Sequence, residues 1–148
     1  MKIATILTLL LASGSLFAKQ IENEAFLTEE RAARGDISLV GLDFASDGKV
    51  SAFQMRVDLP EDASRIDLKS CLSNLPKNFT GICKAYGTRV SVTVYSPSLA
   101  TLPEGLNSVG MVKYRSGSAA GAKLTKISAT QNDGVSAKIA GPIAAGSK

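Results

Sequence analysis

The run Phe53-Gln54-Met55-Arg56-Val57-Asp58-Leu59 sets Phe53, Met55, Val57 and Leu59 on one side of an extended chain and Gln54, Arg56 and Asp58 on the other. A period of two belongs to a β-strand with one buried and one wet face, because successive side chains of a strand point to opposite sides of its sheet. Pro60-Glu61-Asp62 ends the run, and Asp47-Gly48 before it reads as a hairpin-type turn, since Gly tolerates the positive φ that such turns demand. Further upstream, Ile37 to Phe44 places Val40, Leu42 and Phe44 on one face. Downstream, Ile66 and Leu68 continue the apolar set among Arg65, Asp67 and Lys69. Val90, Val92 and Val94 then alternate with Ser91, Thr93 and Tyr95 until Ser96-Pro97-Ser98 breaks the strand. Val109 to Arg115 sets Val112 and Tyr114 opposite Lys113 and Arg115, and Leu124 to Gln131 and Val135 to Ile139 flank the hairpin turn Asn132-Asp133-Gly134. About seven short strands with no intervening helices predict an all-β chain folded as a two-sheet β-sandwich.

The first part of the chain has a different character. Lys2, the apolar run Ile3 to Ala12 and the small residues ending at Ala18 read as a secretory signal peptide over residues 1–18. The apolar run is too short for the roughly 20 residues that a membrane-spanning helix needs, so no membrane anchor is expected once it is cleaved. Lys19 to Asp36 is rich in Glu, Ala and Arg and lacks strand alternation. It reads as a charged leader, either flexible or forming one or two helical turns from Thr28 to Gly35.

Composition narrows the chemistry. The 148 residues include no His and no Trp, which removes the imidazole base, the Ser-His-Asp and Cys-His pairs and His-ligated zinc. A non-enzymatic protein without cofactor or metal is therefore expected. Loss of Lys2 with the signal leaves 16 bases against 13 acids, a net charge of +3, unevenly placed. Ile21 to Leu68 holds eleven acids and five bases, whereas Lys69 to Lys138 holds nine bases against Glu104 and Asp133. A basic half can meet an acidic partner or a polyanion, although solvated outward positions on strands account for it more simply. The bases have few aromatics between them and so form no stacking platform for nucleic acid.

An exported chain meets an oxidising compartment, so an even number of cysteines is read as a bridge. Cys71 and Cys83 have only each other, and closing their loop stabilises by roughly 3 kcal/mol on the chain-entropy argument.

The order of these segments resembles the cohesin pattern. Asp47-Gly48-Lys49-Val50-Ser51-Ala52-Phe53-Gln54-Met55-Arg56-Val57-Asp58-Leu59-Pro60 is similar to its Gly-containing turn and following Ala-Phe-Gln strand. Arg89 to Ser96 resembles a later strand of alternating valines into Tyr-Ser, Leu102-Pro103-Glu104-Gly105 the loop that follows, and Leu124 to Ile139 the closing strands. The resemblance covers residues 37–143, leaving 144–148 as a tail. It implies a jelly-roll β-sandwich of about seven to nine strands, related in fold to some carbohydrate-binding modules, in a family whose best-known members bind calcium-loaded dockerin domains in extracellular scaffolds. Such domains usually open with two early strands. The charged character of Lys19 to Asp36 implies that these are missing or altered, and the single module with its own Cys71–Cys83 loop implies a stand-alone secreted or periplasmic bacterial form, expected to be a monomer.

The resemblance implies recognition of an extracellular protein, dockerin-like or other; the alternative is an extracellular polysaccharide. For a protein partner, strand parity points to one outer sheet face around Gln54, Arg56, Lys113 and Arg115. For a glycan, Tyr86 and Tyr95 are the candidate exposed rings, with a half-buried structural role as the simpler reading. Asp43, Asp47 and Asp133 carry oxygens that calcium favours, but lack the spacing of an EF-hand loop, and turn formation explains Asp47 and Asp133. The sequon Asn78-Phe79-Thr80 reads as incidental in a bacterial chain, and Glu61-Asp62 lie in a turn rather than across a cleft.

Overall fold

The computed structural model describes residues 21–32 and 35–141. The signal-peptide and tail segments expected at 1–18 and 144–148 lie outside them. Eight strands form: β1 (Glu24–Arg31), β2 (Ile37–Ser46), β3 (Val50–Asp58), β4 (Ser64–Asp67), β5 (Thr80–Tyr86), β6 (Arg89–Tyr95), β7 (Gly105–Arg115) and β8 (Lys123–Gln131). They make two four-stranded sheets, β1-β2-β7-β4 and β5-β6-β3-β8, in which every strand pairing is antiparallel. The chain is thus an all-β sandwich.

The alternation read from the sequence is the alternation that is buried. Val40, Leu42 and Phe44 of β2, Phe53, Met55 and Val57 of β3, Val90, Val92 and Val94 of β6, and Val112 and Tyr114 of β7 are all sealed between the sheets. Phe44 and Phe53 come from opposite sheets and stack with ring centroids 4.4 Å apart, joining the layers at the middle of the core. The Tyr114 hydroxyl reaches the rim and donates to Glu29 of β1, whose other carboxylate oxygen accepts the Ala122 N–H at 3.1 Å. Burial first, and the Glu29 carboxylate second, push the Tyr114 phenol up to about 12.

Three readings of the sequence need correction. The helical turns expected between Thr28 and Gly35 do not form: Glu24–Arg31 is a strand paired along its whole length with β2, so the sandwich begins inside the segment set apart as a leader. Its inward apolar residues are only Ala25 and Leu27, and Glu29 takes the next inward position, so charge conceals the period of two and the edge of β2 decides the conformation. Asp47-Gly48 is a tight turn with Gly48 at φ 89, but no hairpin, because β2 and β3 lie in different sheets. The turn is fixed from outside its own strands: the Asp47 N–H donates to Asn23 Oδ1 at 2.9 Å, and Asn23 Nδ2 donates to Asp47 Oδ2 at 3.1 Å. Finally, Val135–Ile139 is not a continuous strand. After the Asn132-Asp133-Gly134 turn the chain touches β8 through a Thr130–Ser136 bridge and then crosses to Asn23 through a parallel bridge at Ile139. This crossing links the β8 side of one sheet to the start of β1 in the other.

β5 escapes a reading by hydrophobic parity because its parity is inverted. Its inward residues are Gly81, Cys83 and Ala85, and its outward residues are Thr80, Ile82, Lys84 and Tyr86. The space beneath is filled by Leu72, Leu75 and Phe79 from the preceding loop. A Cβ on Gly81 would come 3.3 Å from Leu72 Cδ1. Cys71 and Cys83 are joined in a disulfide. Cys71 is buried in a loop whose Ser70 carbonyl accepts the Met111 N–H of β7 at 2.8 Å, whereas Cys83 lies in β5, so the bridge ties the two sheets together along one side.

Candidate recognition face

The outward residues of β5-β6-β3-β8 form a regular grid, because the three antiparallel registers place like parities side by side. Its rows are Thr80-Tyr95-Ala52-Thr130, Ile82-Thr93-Gln54-Ser128, Lys84-Ser91-Arg56-Lys126 and Tyr86-Arg89-Asp58-Lys123. The first two rows carry no charge and the last two carry Lys84, Arg56, Lys126, Arg89 and Lys123 against Asp58 alone. The face therefore runs from a neutral, Thr-rich end to a strongly basic end.

Local contacts hold the basic end in shape. The Arg89 Nε donates to Asp58 Oδ1 at 3.1 Å, an exposed pair that orients the guanidinium and adds little stability. Arg56 Nε donates to Thr125 Oγ1 at 3.3 Å, where β8 bulges between the positions opposite Arg56 and Val57. The ammonium of Lys84 lies 5.5 Å from the centroid of the Tyr86 ring, within reach of a cation–π contact. Ile82, Tyr86 and Tyr95 are 61%, 60% and 41% exposed, so large apolar groups are presented outward instead of buried.

Of the residues singled out in the sequence, Gln54, Arg56, Tyr86 and Tyr95 share this face. Lys113 and Arg115 do not. They belong to β7 in the other sheet and point away on the opposite side of the sandwich, so the single surface expected around all four polar residues is divided between two outer faces. Parity says that a residue points outward, but not from which sheet, and for that the strand order is needed. Lys84, Arg89, Lys123 and Lys126 were the residues that parity alone left unassembled; only the register brings them into line with Arg56. Tyr86 on β5 and Tyr95 on the neighbouring β6 stand in the last and first rows of the grid, six residues apart along the strand direction, or about 20 Å, so they do not make one aromatic platform. Tyr86 borders a shallow hollow of about 360 Å³ with Asp58, Glu61 and Arg89.

Asp43, Asp47 and Asp133 occupy three separate places. Asp43 is on the outer face of β2, Asp47 binds Asn23 and the Lys49 N–H, and Asp133 accepts the Val135 N–H at 3.0 Å. Among the described residues no group of three or more acidic or cysteine side chains is gathered as a metal site.

Sandwiches that superpose on this one occur among solved structures. A non-cellulosomal cohesin from Archaeoglobus fulgidus superposes over 82% of this chain and 86% of its own, with a TM-score of 0.58 and 20% identity. The fold is cohesin-like. A type II cohesin from the cellulosome of Acetivibrio cellulolyticus matches 84% of this chain and 94% of its own, with a TM-score of 0.59 and 12% identity. A type II cohesin in a cohesin–X–dockerin complex from Acetivibrio cellulolyticus matches 82% and 96%, with a TM-score of 0.56 and 11% identity. No family model and no curated protein matches the chain. The cohesin-like fold thus stands on the arrangement of strands rather than on shared residues.

Proposed function

We propose that this chain is a secreted or periplasmic, non-enzymatic recognition module that binds an extracellular protein on the outer face of the β5-β6-β3-β8 sheet. The observation that carries the reading is the graded face itself: an uncharged end with exposed Ile82 and Tyr95, and a basic end of five cations opposed by Asp58 alone. Such a face fits a partner that offers apolar groups at one end and carboxylates at the other. A dockerin-type domain is the partner class that the likeness to a cohesin in a dockerin complex supports. The disulfide is in keeping with an oxidising, extracellular setting. Gln54, Arg56, Tyr86 and Tyr95 are the binding residues on this reading, with Lys84 and Lys126 beside them.

Binding to polysaccharide draws support only from Tyr86 beside its hollow, and the distance to Tyr95 weighs against a flat stacking surface. The two are separated by immobilising the purified protein and passing native culture medium over it before and after adding a calcium chelator. Capture of one defined protein, lost on chelation, is the result expected of a dockerin-type partner. Capture that survives chelation points to a different protein. Retention on insoluble polysaccharide, abolished by Tyr86→Ala with no protein captured, would overturn the reading in favour of a glycan.

A further inference from the structure

β5 is the outer strand of its sheet and pairs with β6 alone. The bonds one strand further in fix which of its peptide groups are left over. At the two ends of the β3–β6 pairing the Leu59 N–H donates to the Thr88 carbonyl at 2.9 Å and the Ser96 N–H to the Ser51 carbonyl at 3.0 Å. Bonded pairs of an antiparallel ladder recur at every second residue, so between those ends Val90, Val92 and Val94 turn their peptide groups to β3. Arg89, Ser91, Thr93 and Tyr95 therefore turn theirs to Tyr86, Lys84, Ile82 and Thr80 of β5. The N–H and C=O groups of Gly81, Cys83 and Ala85 are left pointing outward in the plane of the sheet, and among the described residues no backbone hydrogen bond from a turn or loop reaches them. The opposite edge of the same sheet is partly closed, since the Ala137 N–H donates to the Ala129 carbonyl at 2.9 Å beside the Thr130–Ser136 bridge. Exposed edges are usually blunted by shortness, charge, Pro or a bulge. β5 runs over seven residues without Pro or a shift of register, and Lys84 is its one charge.

We infer that this edge takes an extended segment of a protein partner as an added antiparallel strand. The inference rests on the reading of the chain as a protein-binding module and adds a contact beside the face. A row of donors and acceptors at strand spacing is matched by another extended polypeptide, to which three residues offer about six main-chain bonds. The outward side chains choose its sequence, because an added strand continues the rows of the grid. Its residue opposite Ile82 lies beside a side chain that is 61% exposed, and its residue opposite Lys84 extends the basic row Lys84-Ser91-Arg56-Lys126. The first position calls for a β-branched apolar residue and the second for a carboxylate. In the antiparallel sense the acid comes two positions before the apolar residue. The bridge from Cys83 to Cys71 holds the edge in place before the segment arrives, so that less ordering is left to binding.

Titration of the isotope-labelled protein with the synthetic peptide acetyl-Thr-Thr-Glu-Thr-Ile-Thr-Thr-amide, followed by amide NMR, tests the edge. The Gly81, Cys83 and Ala85 amides are expected to shift and to gain protection from exchange. Replacing the peptide's Glu by Lys is expected to weaken binding about threefold, the worth of one exposed ion pair. N-methylation of the central Thr, whose N–H faces Cys83, is expected to abolish the shifts, and N-methylation of the Glu, whose N–H points away, to preserve them. Ala85→Pro removes a donor at the free edge without touching the β6 ladder, a place where strands tolerate Pro, and is expected to lose the peptide. Should that variant unfold, the two methylated peptides still decide. No shift at the three amides up to the solubility of the peptide, equal binding of both methylated peptides, or self-association through β5 in place of peptide binding would each overturn the site. If partner capture depends on Arg56 and Lys126 while the peptide leaves β5 unmoved, the edge fails and the face stands; if the peptide binds and capture ignores those two charges, the face fails and the edge stands.

Discussion

At Gly110 the backbone of the loop that carries Cys71 passes close over β7. β7 bulges beside it, where Leu42 pairs with Gly110 and Asp43 with Ser108, and a Cβ at this position would collide with the carbonyl oxygens of Ser70 and Cys71. The loop that carries Cys71 can lie on β7 only because no side chain is there. Gly110→Ala is expected to destabilise by about 3 kcal/mol, in the range of overpacked cores, seen as a lower urea midpoint in equilibrium unfolding. Tyr114 is sensitive to pH in a defined direction. Its folded phenol is raised to about 12 from 10.0, so the stability tied to its protonated form is complete below pH 10 and declines as pH rises through 12. Tyr114→Phe removes the donor to Glu29 and is expected to flatten the stability profile across this window, while costing about 1 kcal/mol at neutral pH for the lost hydrogen bond. An unchanged alkaline decline in the variant would assign the effect elsewhere.

Among the elements, the loop from Leu68 to Phe79 does the work that another strand does in a simpler sandwich. It packs Leu72, Leu75 and Phe79 under β5 and is held by the bridge from Cys71 to Cys83. Replacing both cysteines by Ala is expected to lower stability by about 3 kcal/mol, with β5 amides losing hydrogen-exchange protection before those of β3 and β6. If β5 keeps its protection when the bridge is gone, the loop is held by apolar packing alone. The same region shows what could be read in advance. β2, β3, β6 and β7 were legible because Val, Leu, Phe and Tyr fill their inward positions against alternating polar residues. β5 was not, because its filler comes from a loop and its own large residues point outward. β1 was hidden by Glu29, an exposed carboxylate at the rim that takes the parity of the inward residues and is held there by the Tyr114 hydroxyl and the Ala122 N–H. Of the face residues, Gln54, Arg56, Tyr86 and Tyr95 were readable from parity and aromatic type. Their alignment with Lys84 and Lys126, and their separation from Lys113 and Arg115, depend on strand pairing, which no local pattern carries.

At the scale of the whole molecule, the sandwich presents two unlike faces. One is graded from neutral to basic, and the other carries Phe26, Met111 and Leu106 outward around Asp43, with Glu24 and Glu30 on β1 and Lys113 and Arg115 on β7. The basic face predicts that partner binding weakens as ionic strength rises, mainly through slower association. Charge reversal on the basic face is the sharpest test of its part in recognition. Wild type, the double variant Arg56→Glu/Lys126→Glu and the control Lys69→Glu, whose side chain is exposed in the loop after β4, are immobilised at equal density. Each is exposed to the same native culture medium, with thermal melts confirming that all three are folded. Wild type and Lys69→Glu are expected to retain the same protein, and the double variant to lose it. Equal retention by all three would contradict the assignment of the β5-β6-β3-β8 face as the recognition surface.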